Sequence, residues 1–120
     1  MDFALSSYSS YSSPSFKVEN DKPFVKIIEV GPRDGLQIQP KFIDTSVKVE
    51  LIDMLSRCGL HEIDATSFVS PKAVPQLKDA VAVMKSIKRN SNVTYHVHVP
   101  NLKGLEMAVL NQLLLNIYFV

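Results

Sequence analysis

Three short, β-branched runs centred on Ile27, Ile63 and Val97 recur 36 and 34 residues apart, with apolar stripes at helical spacing between and after them. A chain that alternates strand and helix in this way needs parallel strands joined by right-handed crossovers. Eight such units occupy about 280 residues, near the roughly 250 typical of a closed (βα) barrel. The expectation is an α/β fold that holds about three of the eight parallel units of a (βα) barrel, over residues 21–109.

Local signals bound each element. The run at residues 24–30 is stopped by Gly31-Pro32 and reads as a strand. Asp44-Thr45-Ser46 offers N-cap oxygens to a helix whose stripe is Val47, Leu51, Met54, Leu55 and Cys58, with Gly59 as its stop. A second strand is expected at residues 63–68, closed by Ser70-Pro71. The stripe Val74, Leu77, Val81, Met84 and Ile87 predicts the next helix, with Lys85, Lys88 and Arg89 complementing its dipole. A third strand follows at residues 93–99 and a third helix at residues 102–109. Cys58, on the first stripe, reads as a small core residue.

The remaining segments read differently. Residues 1–16 hold seven serines and two tyrosines without apolar periodicity, so residues 1–20 are expected to be a disordered tail. That tail lacks arginine and carries Asp2, which makes a poor mitochondrial transit peptide. Residues 110–120 form a divergent apolar tail. A net charge of +1 excludes a bulk electrostatic footprint for nucleic acid, and no apolar run reaches the roughly 18 residues that span a bilayer. A single cysteine excludes a disulfide scaffold.

Chemistry concentrates after the first strand, at Gly31-Pro32-Arg33-Asp34-Gly35-Leu36-Gln37. In a parallel (βα) sheet the loops at the carboxyl ends of the strands form the ligand face, so a cation, a carboxylate and an amide here point to a site. Asp34 offers a hard oxygen to magnesium or manganese, and Arg33 offers fixed N–H donors to a developing oxyanion. The alternative is that both dress a Gly-Pro turn. Asp64 lies inside the apolar second strand, where a carboxylate needs a partner such as Arg33, unless it faces outward at the strand end. His96 and His98 alternate on the third strand and share a side, but no adjacent ligand completes a metal set. No GxGxxG follows the first strand, so a dinucleotide site is not indicated.

The run Val30-Gly31-Pro32-Arg33-Asp34-Gly35-Leu36-Gln37, with Ile63-Asp64-Ala65-Thr66-Ser67-Phe68-Val69-Ser70-Pro71-Lys72 and Pro100-Asn101-Leu102-Lys103-Gly104, resembles the 3-hydroxy-3-methylglutaryl-CoA lyases. These are metal-dependent carbon-carbon lyases built on a triosephosphate-isomerase barrel. The resemblance covers residues 24–109. It implies retro-Claisen cleavage of 3-hydroxy-3-methylglutaryl-CoA to acetoacetate and acetyl-CoA, a step of leucine catabolism and ketogenesis. It further implies Arg33 as the catalytic, enolate-stabilising residue, Arg33, Gln37 and Asp64 as contacts to an acyl-CoA thioester, and Asp34 as a ligand of a divalent cation. Where the family carries glutamate, this chain has Asp64, one methylene shorter. The family's remaining ligands, two histidines and an asparagine, and its catalytic cysteine fall beyond residue 109. The chain therefore reads as a truncated form with an incomplete ligand set, inactive by itself.

The alternative is a non-catalytic or regulatory fragment that self-associates or pairs with full-length enzyme, because open strand edges invite pairing. An unstable truncated product is a further alternative. The resemblance implies the mitochondrial matrix, and the poor transit peptide leaves the cytosol as the other compartment.

Overall fold

A computed structural model describes residues 25–111 and the backbone of Ile117–Phe119. The Ser/Tyr-rich tail expected at residues 1–20 lies outside the described residues. In chain order the elements are α1 (Thr45–Leu55), β1 (Glu62–Ser67), α2 (Ala80–Ser86), β2 (Thr94–Val99), α3 (Leu102–Leu110) and β3 (Ile117–Phe119). The strands form one parallel sheet in the order β1-β2-β3, part of the wall of a (βα) barrel. The segment at 110–120 read as a divergent tail therefore continues the alternation, because the backbone of Ile117–Phe119 pairs with residues 97–99.

The first expected strand is reduced to one bridge. Glu29 donates its N–H to the Glu62 carbonyl at 3.0 Å and accepts from the Asp64 N–H at 2.8 Å, while residues 25–28 form no ladder among the described residues. Val25 and Ile27 are largely exposed, so the apolar burial that would favour extending the pairing is absent. The bridge still matters, because it sets the turn that follows beside β1.

β1 and β2 run in register from Glu62 opposite Thr94, with one irregularity between Asp64 and Thr66. Asp64 stands opposite His96 before the slip, and the slip places Ser67 opposite His98. Ile63, Ala65, Tyr95, Val97 and Val99 pack with Ile52, Val83, Met84, Ile87 and Ala108 into the core between sheet and helices. The opposite face carries Glu62, Asp64, His96 and His98, where Glu62 pairs with His96, Asp64 with Arg33 and His98 with Ser67.

The face that α1 buries differs from the expected stripe. Val47 and Met54 are more than half exposed and Cys58 is exposed, whereas Ile52 and Lys48 are buried and Leu55 packs against the core. Apolar residues occur around the whole of this helix, so their period does not select a face. The choice follows instead from Lys48, whose buried amine binds Asp79 Oδ1 at 2.6 Å and the Gln76 carbonyl. Gly59, with φ of 82°, ends the turn after α1 in the left-handed conformation expected of it.

The expected second helix splits into a 3₁₀ turn at Pro75–Leu77 and α2. Pro75 sits at the first position of the turn, where its missing N–H costs no helical hydrogen bond. Leu77, Met84 and Ile87 of its stripe are buried, joined by Ala80 and Val83. At α3, Asn101 Oδ1 accepts the Gly104 N–H at 2.9 Å and caps the helix. A β-carbon on Gly104 would stand 2.6 Å from the Phe68 carbonyl oxygen, so glycine is what lets α3 sit against the end of β1.

Candidate functional site

The chain leaves the Glu29 bridge through a π-helical turn, Gly31–Gly35. The Val30 carbonyl accepts N–H groups from Arg33 (3.1 Å), Asp34 (2.7 Å) and Gly35 (3.4 Å), and Glu29 Oε1 accepts that of Gly31 at 2.7 Å. With Pro32 buried beneath it, this wide turn carries Arg33 back toward the polar face of β1.

There the guanidinium joins two carboxylates. Arg33 Nε donates to Asp64 Oδ2 at 2.8 Å, and Nη1 donates to Asp34 Oδ1 at 3.0 Å. The two contacts differ in weight. The Asp64 side chain is 12% exposed and that of Asp34 is 56% exposed, so water screens the second pair far more than the first. Of the alternatives for Asp64, the inward one holds, with Arg33 as the partner. Its other oxygen, Oδ1, is buried with no hydrogen-bond partner among the described residues. A buried carboxylate oxygen without a donor costs of order 1–3 kcal/mol, which raises the demand on the Arg33 contact at Oδ2.

Arg33 and Asp64, with His96 and His98, line a cavity of about 250 Å³ whose apolar walls include Ile28 and Val30. His96 is buried, and its Nε2 contacts Glu62 Oε2, whose other oxygen binds Lys26 Nζ at 2.7 Å. His98 Nδ1 lies 2.9 Å from Ser67 Oγ. The two histidines thus turn to separate partners. Sequence reasoning did not find the Glu62 and Ser67 contacts; the alternation of Glu62-Ile63-Asp64 against His96-Val97-His98 was the signal that could have revealed them.

Gln37 is half-buried and does not line this cavity, so the structure does not bring it to Arg33 and Asp64. Two other glutamines support the turn instead. Gln39 Nε2 donates to the Gly35 carbonyl at 3.0 Å, and Gln76 Nε2 donates to the Gln39 carbonyl at 2.7 Å.

For a divalent cation, Asp34 supplies one solvent-facing carboxylate that already accepts from Arg33. Among the described residues no group of three His, Cys, Asp or Glu side chains is placed to hold a metal. Magnesium and manganese keep several waters among about six ligands, but a single carboxylate already paired with Arg33 does not by itself fit the ion.

The parallel βα segment is part of the wall of a (βα) barrel, with an arginine held between two carboxylates beside its strands. The HMGL-like family model matches residues 24–113, and the chain belongs to that family, one of carbon-carbon lyases. It is 59% identical over 85 residues to the mitochondrial hydroxymethylglutaryl-CoA lyase of Macaca fascicularis, covering 71% of this chain and 26% of the relative. It is 55% identical over 86 residues to the cytoplasmic 3-hydroxy-3-methylglutaryl-CoA lyase of Danio rerio, covering 72% and 26%. Among solved structures, an HMG-CoA lyase from Brucella melitensis superposes with a TM-score of 0.71 at 49% identity, covering 76% of this chain and 32% of that one. A second, from Acinetobacter baumannii in complex with coenzyme A and 3-methylmalate, gives 0.70 at 46%, covering 72% and 28%. The chain spans about a quarter of the length of the curated relatives it matches.

Proposed function

We propose that this chain carries the arginine-carboxylate part of a hydroxymethylglutaryl-CoA lyase site, with an acyl-CoA thioester as its ligand. The observation that carries the reading is Arg33, held between Asp64 and Asp34 at the edge of a cavity. Retro-Claisen cleavage leaves negative charge on the acetyl-CoA portion as the carbon-carbon bond breaks. A fixed guanidinium next to that position stabilises the enolate more than the ground-state carbonyl, which lowers the barrier. Asp64, through the Arg33 Nε contact, orients the group and stands with it as a proposed contact to the thioester. Gln37 keeps a proposed contact to the more distant part of the thioester. Coenzyme A in the Acinetobacter baumannii relative supports the ligand class. A relative named mitochondrial supports the mitochondrial matrix and one named cytoplasmic supports the cytosol as the alternative, and a fluorescent fusion of the chain decides between them.

Asp34 is proposed as one ligand of the divalent cation on which the family depends. One carboxylate does not hold such an ion tightly, so the 120-residue polypeptide is expected to bind hydroxymethylglutaryl-CoA without cleaving it. An assay of acetyl-CoA release with added magnesium checks this. Metal-dependent turnover that disappears in Arg33→Gln would contradict the expected inactivity.

A second reading, association with another copy or with a longer lyase, is favoured by one observation. Val25, Ile27, Ile38, Leu102 and Leu110 are each at least 70% exposed. An isolated chain with that surface is expected to elute from size exclusion as an oligomer or to co-elute with a full-length lyase. A monodisperse monomer that ignores the enzyme would count against association.

A further inference from the structure

Ser67 and His98 determine one another's protons. Ser67 is 1% exposed, and the only hydrogen bond of its side chain among the described residues is to His98 Nδ1, at 2.9 Å. If the ring nitrogen carried the proton, the serine hydroxyl hydrogen would be left buried without an acceptor. If instead the serine donates, Nδ1 accepts, every group in the pair is satisfied, and the neutral ring holds its proton on Nε2. His98 is half-buried and lines the cavity, and Nε2 makes no hydrogen bond among the described residues.

His98 Nε2–H is therefore a donor without an acceptor at the cavity wall, whereas Asp64 Oδ1, an acceptor without a donor, is closed off from solvent. Charge makes the donor necessary. The Arg33 guanidinium already faces two carboxylates, Asp64 and Asp34, so its single positive charge is more than balanced before any ligand arrives. An anionic oxygen entering the cavity needs a further donor, and a neutral N–H supplies one without adding a charge that must itself be desolvated.

We infer that His98 is a specificity-determining residue that donates its Nε2–H to an anionic oxygen of a hydroxy-acyl ligand, with Ser67 as the positioning residue that holds the tautomer. This rests on the acyl-lyase reading of the Arg33 site. The carboxylate of such a ligand meets His98, on the cavity wall that Arg33 and Asp64 also line.

The test uses the 120-residue chain labelled with ¹⁵N-histidine and free 3-hydroxy-3-methylglutarate as the probe. Wild type is expected to show His98 in the Nε2–H form, with the Nε2 resonance moving as the probe binds, and Ser67→Ala is expected to lose that tautomer preference. His98→Asn keeps an acceptor for Ser67 but lacks the distal donor, and is expected to weaken binding about tenfold. His98→Gln, whose amide reaches the Nε2 position, is expected to recover most of that loss. Far-UV circular dichroism confirms that each variant is folded. His98 in the Nδ1–H form, or equal affinity in the Asn variant while Arg33→Gln loses binding, overturns the role of His98 and leaves the acyl-lyase reading standing. No binding by wild type overturns both.

Discussion

Arg33→Gln is expected to destabilise the fold by about 2–3 kcal/mol, read as a lower urea midpoint at unchanged slope. The guanidinium is the only described partner of Asp64 Oδ2, and Asp64 Oδ1 has none, so the variant leaves a buried carboxylate with neither cation nor donor. Partial exposure of Arg33 keeps the cost below that of a fully buried pair. Asp34→Asn removes the other contact of the same guanidinium and is expected to cost less than about 0.5 kcal/mol, because that carboxylate faces water. The double variant Arg33→Gln, Asp64→Asn is expected to regain most of the loss, since the amide no longer carries a charge into the sheet. Equal stability of Arg33→Gln and wild type would mean that the pair does not form in solution.

Lys48→Met is expected to cost about 3 kcal/mol, although methionine fits the space. Lys48 is 3% exposed, holds Asp79 Oδ1 at 2.6 Å, and stands 4.2 Å from the centre of the Phe42 ring. Without it the Asp79 carboxylate keeps, among the described residues, only the Thr45 hydroxyl, at 2.7 Å from Oδ2. Lys48→Met with Asp79→Leu is expected to recover most of the stability, because a buried pair replaced by apolar side chains of similar volume is near neutral. The effect extends toward the site. Lys48 also binds the Gln76 carbonyl, Gln76 binds the Gln39 carbonyl, and Gln39 binds the Gly35 carbonyl at the end of the Arg33 turn. Faster amide hydrogen exchange at Arg33 and Asp34 in Lys48→Met, reversed in the double variant, is the expected signature. Unchanged exchange in a destabilised single variant would separate the turn from the lysine.

Some of this was legible in the sequence and some was not, for identifiable reasons. Asp64 could be paired with Arg33 beforehand, because a carboxylate inside an apolar strand demands a cation and Arg33 lies at the end of the neighbouring strand. The strands around Ile63 and Val97 were legible because their short runs are bounded by turn residues. The first run was not, since its β-branched composition promises a strand while its partners decide how much of it pairs. The buried face of α1 was hidden for a different reason. A lysine counts as outward in any hydropathy pattern, and only the fold shows that Asp79 draws Lys48 inward and takes Ile52 with it. Gln37 sits within a motif, but the turn that presents Arg33 directs the cavity elsewhere.

The central claim is that Arg33 and the polar face of β1 and β2 receive the acyl group. Amide chemical-shift mapping of the 120-residue chain with hydroxymethylglutaryl-CoA tests it most directly. Shifts are expected to concentrate at residues 31–35, 62–67 and 96–98 and to vanish in Arg33→Gln while the remaining spectrum stays folded. Shifts confined to the exposed face around Val47 and Met54, or an unaltered response in Arg33→Gln, would contradict it.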